Sequence, residues 1–384
     1  MSPSQLSLKL SHKLMPFAAA ALLCLPGAAS ANSETVKIGV SGPLSGANAF
    51  AGKDNENGVR LALEELNAKP IKVAGKTLKF ELVSEDDQGD PRAGVSVAQK
   101  LADARVRFVL GPYNSGVAIP ASRIYNEAGM LMSTVGTNPD VTKNGYNNVF
   151  RIIASDTQIG ASMASYAARE LKIKRIGVID DRTAFGKGIA DEFIKQAKKS
   201  GMAVASREFT TDKATDFSAI LTSLKAKKVD AIFFGGYAPQ GAPMTRQMKQ
   251  LGLNVRLLGG DTLCSPEMAK LGGAAVGANV LCAQGGAMLD KKTAGAAFQA
   301  RYKARFKQAA DVYAPAFYDQ MMFIAETMRK TNSLDPSVVG VALHASSYKG
   351  VAGTYAYDAK GNMRQSPVTI YTFKNGAPVA LASY

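Results

Sequence analysis

The chain has 384 residues, 46% of them hydrophobic and 20% charged, with a formal net charge of +15, two histidines, three cysteines and no tryptophan. That length calls for two domains with substantial cores, and the composition excludes a disordered, collagenous or coiled-coil chain. His12 falls in a segment read below as removed, which leaves His344; two-histidine zinc hydrolysis is excluded, and a Ser-His-Asp triad would have to use His344 as its base.

Residues 1–31 read as a secretory signal peptide. Lys9 and Lys13 precede an apolar run from Leu14 to Leu25, Pro26-Gly27 ends it, and Ala29-Ser30-Ala31 forms a cleavage site after Ala31. The run is too short to span a membrane, and the residues before Cys24 are not the small ones that lipoprotein processing needs. Export to the periplasm is the expectation. The remaining chain stays basic, but its lysines are scattered along helical stretches, so a solvated surface is expected and a nucleic-acid partner is not.

From residue 35 short apolar strands alternate with amphipathic helices. Val36, Ile38 and Val40 form one strand, and Leu78, Phe80 and Leu82 the next. Between them Val59, Ala62, Leu63 and Leu66 share one helical face. Asp90-Pro91 opens a helix running to about Arg105, and strand 106–110, helix 116–128 and strand 130–133 follow. After Arg151 the rhythm restarts with strands 175–180, 203–207, 230–235, 255–259 and 278–282. Helices near 158–171, 187–200, 216–227, 239–251 and 265–272 alternate with them. Helices near 295–307 and 312–331 and strands near 353–357 and 368–373 complete the chain; the pattern does not assign these last strands to either unit. The fold class is therefore α/β, two doubly wound parallel-sheet lobes. Ligands in such folds sit beyond the carboxyl ends of the strands, which points to the cleft between the lobes.

Chemistry-bearing residues gather at those strand ends. Gly111-Pro112-Tyr113-Asn114-Ser115-Gly116 leads from a strand into a helix start, where unpaired N–H groups and the dipole favour an anion; simple capping by Asn114 or Ser115 is the alternative. Gly136 and Thr137 end the next strand. In the second unit Tyr237 and Asp261 follow strand ends, and Phe185 lies in a corresponding loop. An anion site, a carboxylate and aromatic rings together suit an α-amino acid zwitterion with an apolar side chain. The acids Glu85, Asp86, Asp87 and Asp90 miss calcium-loop spacing and read as caps, so no metal site is expected. Cys264 and Cys282, 18 residues apart in an exported chain, are a disulfide candidate, with two buried thiols as the alternative.

The segments KIGVSGPLSG, NGVRLALEELNA, SEDDQGDP, LGPYNSGVAIPAS, MLMSTVGTNPDVT and TDFSAILTSLKAKKVDAIFFGGY resemble the branched-chain amino-acid binding proteins of ABC importers, which are type I periplasmic binding proteins. The resemblance implies two lobes joined by three crossovers, lobe 1 from 34–154 and 286–366, lobe 2 from 155–285 and 367–384. It implies ligand contacts at Ser115, Gly136, Thr137, Tyr237 and Asp261, with Tyr113, Asn114, Phe185 and Phe50 around them. It also implies no cofactor, no turnover, a monomer, and a small-molecule ligand passed to a membrane permease. Several positions depart from the family: Asp261 stands where Glu is usual, Phe185 where Tyr is usual, and Ala51 where some members have an aromatic, leaving neighbouring Phe50 to substitute. Gly89 and Asn114 replace the cysteines of a lobe-1 disulfide. A binder of an apolar amino acid, branched-chain or aromatic, is expected; a binder of another small acid or amide, such as an aromatic carboxylate, or a sensing subunit is the alternative.

Overall fold

The computed structural model describes residues 32–286 and 294–384, together with Met1 and Ser7. Apart from those two positions, the predicted signal peptide and its cleavage site lie outside the described residues.

The first unit runs β1 (Ser33–Gly42), α1 (Ala49–Ala68), β2 (Lys72–Val73), β3 (Lys76–Asp86), α2 (Pro91–Asp103), β4 (Phe108–Leu110), α3 (Ser115–Glu127), β5 (Leu131–Thr134) and β6 (Val149–Arg151). Its sheet has the order β2-β3-β1-β4-β5-β6, parallel except where β2 turns back on β3. The chain then crosses into α4 (Asp156–Arg169), β7 (Arg175–Asp180), α5 (Ala184–Lys199), β8 (Ala203–Phe209), α6 (Ser218–Ala226), β9 (Ala231–Gly235), α7 (Ala238–Gln250), β10 (Arg256–Gly259), α8 (Pro266–Gly272) and β11 (Val280–Gly285). It returns to the first unit with α9 (Ala294–Phe306), α10 (Ala314–Thr331), α11 (Pro336–Ala345), β12 (Ser347–Lys349) and β13 (Thr354–Ala356). It crosses once more into β14 (Val368–Lys374) and β15 (Ala377–Ser383). The second sheet has the order β15-β14-β11-β10-β9-β7-β8, with β14 and β15 antiparallel.

Local chemistry explains the elements. The face Val59, Ala62, Leu63 and Leu66 of α1 is buried against the sheet. The Asp90 carboxylate accepts from the N–H groups of Arg92 (2.8 Å) and Ala93 (3.0 Å), capping α2, while Asp86 and Asp87 accept loop N–H groups, so the acidic cluster serves turns. Phe193 of α5 stacks on Phe233 of β9 with centroids 3.9 Å apart, seating the helix on the second sheet.

One sequence expectation is corrected, and one point that the sequence pattern left open is settled. Neither sheet is purely parallel, because β2 and the β14–β15 pair add antiparallel edges. The late strands also separate: β13 pairs with β12 in a small ribbon, and β14 joins the second sheet. β6 has three residues and β12 three, too few for a period to show, while β15 alternates exposed and half-buried positions at a sheet edge.

Cys264 and Cys282 are disulfide-bonded, with Cα atoms 5.4 Å apart, joining the turn after β10 to β11. Opening this 18-residue loop with a Cys264→Ala, Cys282→Ala double variant is expected to lower stability by about 3 kcal/mol, read as a lower thermal midpoint than the oxidised parent.

Candidate ligand site between the lobes

The strands of both sheets end at a shared cleft. On the first side, β4 leads into Gly111, whose φ of +125° only glycine tolerates easily; a Cβ there would lie 2.0 Å from the Ser41 carbonyl oxygen. This bend delivers Tyr113 and then Ser115, the first residue of α3. Ser115 is buried, and its Oγ accepts the Asn138 N–H at 3.2 Å. Its own hydroxyl proton is left to donate beside the unpaired N–H groups of the helix start.

The loop after β5 is locked from beneath. Arg151, only 1% exposed, directs Nη1 at the carbonyls of Gly136 (3.0 Å), Thr137 and Asn138 (2.9 Å), Nη2 at Thr142 Oγ1 (3.0 Å), and Nε at Asn362 Oδ1 (3.1 Å). Burial lowers its pKa to about 10, so the guanidinium is charged at neutral pH. With its backbone held, Thr137 presents its side chain to the cleft. Gly136 does not: its N–H donates to Thr134 Oγ1 at 2.9 Å and its carbonyl faces Arg151, so both of its backbone groups are engaged. Its expected place on the wall is taken by Val135.

On the second side Phe185 stands in the first turn of α5 rather than in a loop, Tyr237 precedes α7, and Asp261 opens a short 3-10 turn after β10. Asp261 is 1% exposed; it accepts the Thr262 N–H (3.1 Å) and the Tyr313 hydroxyl. Burial pushes its pKa up to about 6, against which the Tyr313 bond acts. Burial also raises the phenols of Tyr113, Tyr237 and Tyr313 well above their ordinary value, so their hydroxyls stay protonated as donors. The rings of Tyr113, Phe185 and Tyr313 surround this point, with Tyr237 5.1 Å from Phe185 and 6.2 Å from Tyr113.

The structure thus brings Tyr113, Ser115, Thr137, Phe185, Tyr237 and Asp261 onto one cavity. Asn114 stays behind its wall, and its Nδ2 donates across the cleft to the Tyr237 hydroxyl at 3.0 Å. Phe50 lines an adjoining cavity. The cavity walled by Ser115 and Asp261 measures about 10 Å³, the space of a single water. Three wall residues escaped the sequence reading: Tyr313, Val135 and Thr262. Asp156, at the first crossing between lobes, was missed as well. It is fully buried beside Thr137, whose carbonyl accepts its N–H at 2.8 Å; burial raises its carboxyl, and the charge of Asp261 adds to the rise. His344 takes no part in the cleft: its ring nitrogens face the carbonyls of Asp358 and Asn147, and its ring packs on Phe150.

The family model described as periplasmic binding protein matches residues 35–378. A Leu/Ile/Val-binding protein, BraC3, of Rhizobium johnstonii is 33% identical over 350 residues, 90% of this chain and 93% of the relative. The leucine-, isoleucine-, valine-, threonine-, and alanine-binding protein of Pseudomonas aeruginosa is 32% identical over 346 residues, 90% and 91% of the two chains. The crystal structure of a leucine binding protein, LivK, from Thermotoga maritima superposes with a TM-score of 0.83 at 28% identity, covering 91% of this chain and 98% of that one. An ABC transporter substrate-binding protein from Desulfitobacterium hafniense, complexed with Leu, gives 0.74 at 28% identity, covering 91% and 100%. With its fold and these matches, the chain belongs to the periplasmic binding proteins, among the relatives of the Leu/Ile/Val-binding substrate-binding proteins of ABC importers.

Proposed function

We propose that the protein captures an α-amino acid of branched-chain size in the interlobe cleft and hands it, chemically unchanged and as a monomer, to an ABC permease. The observation that carries this reading is the pairing of opposite polarities across one closed cavity. Ser115 and the start of α3 suit a carboxylate on one wall, while Asp261 suits an ammonium on the other. Thr137 lines the same cavity, and the aromatic rings desolvate the aliphatic part. The leucine, isoleucine and valine binding of the relatives supports the same size class. The lobe borders at 154/155, 285/286 and 366/367 serve as the hinge, and closure presents the permease with a distinct surface. Isothermal titration of the mature protein with L-leucine, L-isoleucine and L-valine tests the reading. Micromolar or tighter binding is expected, and no detectable heat with any of the three overturns it.

The pH dependence follows from Asp261. Its folded-state pKa of about 6 lies above the ordinary 3.8, and only the ionised form pairs with an ammonium. Affinity is expected to be level above pH 7 and about tenfold lower at pH 5, where about one Asp261 in ten remains ionised. A flat profile by titration calorimetry between pH 5 and 8 removes Asp261 from the ammonium site. Stability of the ligand-free chain runs the other way. Burial also raises Asp87, Asp181 and Asp319 to about 6, so between pH 4 and 6 the folded state holds more protons than the unfolded one. Their contribution is present below the unfolded value and lost as pH rises through 6, so the ligand-free thermal midpoint is expected to be higher at pH 5 than at pH 7.

A further inference from the structure

Beyond Tyr113 and Tyr313 the cleft continues into a second cavity, which shares those two rings and Thr262 with the first. Part of its lining is apolar, from Phe50, Ala51 and Val312, and part is polar. Asp54 and Asn55 project there from α1, and Asp311 and Ser265 meet them from the two lobes. Asp54 accepts the Tyr302 hydroxyl at 2.6 Å and the Asp311 N–H at 3.1 Å. Asp311 accepts the Ser265 hydroxyl at 2.6 Å and the Val312 N–H at 2.8 Å. Each carboxyl keeps unused acceptor capacity. Asn55 is only 5% exposed, and among the described residues its buried Nδ2 finds no hydrogen-bond partner. A buried amide donor left without an acceptor is rare and costly, and here it lines the space a ligand side chain would reach.

We infer that the far end of the cleft is a polar subsite for the tip of the ligand's side chain, suited to α-amino acids ending in a hydroxyl or carboxamide. Such a tip accepts from Asn55 Nδ2 and donates to Asp311 or Asp54, while its stem lies against Phe50 and Val312. A purely aliphatic tip fills the same shape but leaves the Asn55 donor unpaired. Burial, reinforced by the negative charge of Asp311, raises the Asp54 carboxyl to about 8, so at neutral pH it is largely protonated and donates as well as accepts. The inference rests on the amino-acid head-group reading above and extends it from size to tip chemistry.

Isosteric probes separate the two. Threonine has the shape of valine, and asparagine that of leucine, so each pair differs at the tip alone. An apolar pocket discriminates against an added hydroxyl by about 100-fold. In calorimetric titrations of the mature wild-type protein, L-threonine is expected within tenfold of L-valine and L-asparagine within tenfold of L-leucine. Asn55→Ala is expected to lower the asparagine-to-leucine affinity ratio at least tenfold, with its thermal midpoint measured alongside; should this variant not fold, the wild-type ratios decide. Rejection of both polar isosteres by 100-fold or more overturns the polar subsite and leaves the branched-chain reading standing. Binding of asparagine or threonine without leucine or valine does the reverse, and binding of none of the four overturns both.

Discussion

Asp261→Ala is expected to weaken L-leucine binding by about 10²-fold to a few times 10³-fold, because removing one partner of a buried charge pair costs about 3–5 kcal/mol and each 1.4 kcal/mol is tenfold. The carboxylate sits at 1% exposure among aromatic rings, cut off from bulk water. A general loss of fold is not the expected cause. The removed group carries a burial-raised pKa, so the ligand-free chain loses an unfavourable charge and keeps the backbone turn that follows β10. The control is the α-keto analogue of leucine, which has the same carboxylate and side chain but no ammonium. Its affinity is expected to stay the same or rise in the variant. Equal binding of leucine by variant and parent would remove the zwitterion assignment altogether.

The second large effect is on stability. Arg151→Met is expected to destabilise the protein by about 3–5 kcal/mol, lowering the thermal midpoint by on the order of 10 °C. One buried guanidinium gathers the carbonyls of Gly136, Thr137 and Asn138 and also reaches Thr142 and Asn362, which lie far apart in sequence. Methionine fills much of the volume and satisfies none of those acceptors. Arg151→Lys is expected to recover only part of the loss, since a single ammonium lacks the planar fork that reaches both the loop and Asn362. Because the loop carries Thr137, ligand affinity should fall in both variants at temperatures where each is still folded. Circular dichroism melts together with calorimetric titration at 15 °C check the two effects separately; a midpoint within 2 °C of the parent would mean that the loop holds itself.

What was readable beforehand divides along physical lines. Ser115, Thr137, Tyr237 and Asp261 all follow strand ends, and a parallel sheet with short connections carries every such residue to one edge, so pattern alone collects them. Tyr313 reaches the same cavity from the start of α10, 52 residues beyond its partner Asp261, after the chain has re-crossed the lobes; no local period records that return. Asp156 looks from sequence like an ordinary acid in the first turn of a helix, and only the tertiary contact with Thr137 distinguishes it. Gly136 lies off this cavity's lining for the opposite reason. Glycine invites a close backbone approach, yet the nearby Thr134 hydroxyl and Arg151 satisfy that backbone first. Among the elements, the long amphipathic helices and core strands were legible, while β6, β12 and β15 depend on neighbours supplied by distant segments.

The Cys264–Cys282 bond has both anchors on the same side of the hinge, one after β10 and one within β11. Oxidation therefore stiffens one jaw without tethering it to the other. On the proposed hinge closure the turn bearing Asp261 and Ser265 travels as a rigid tooth, and the amplitude of the stroke should be the same whether or not those sulfurs are joined.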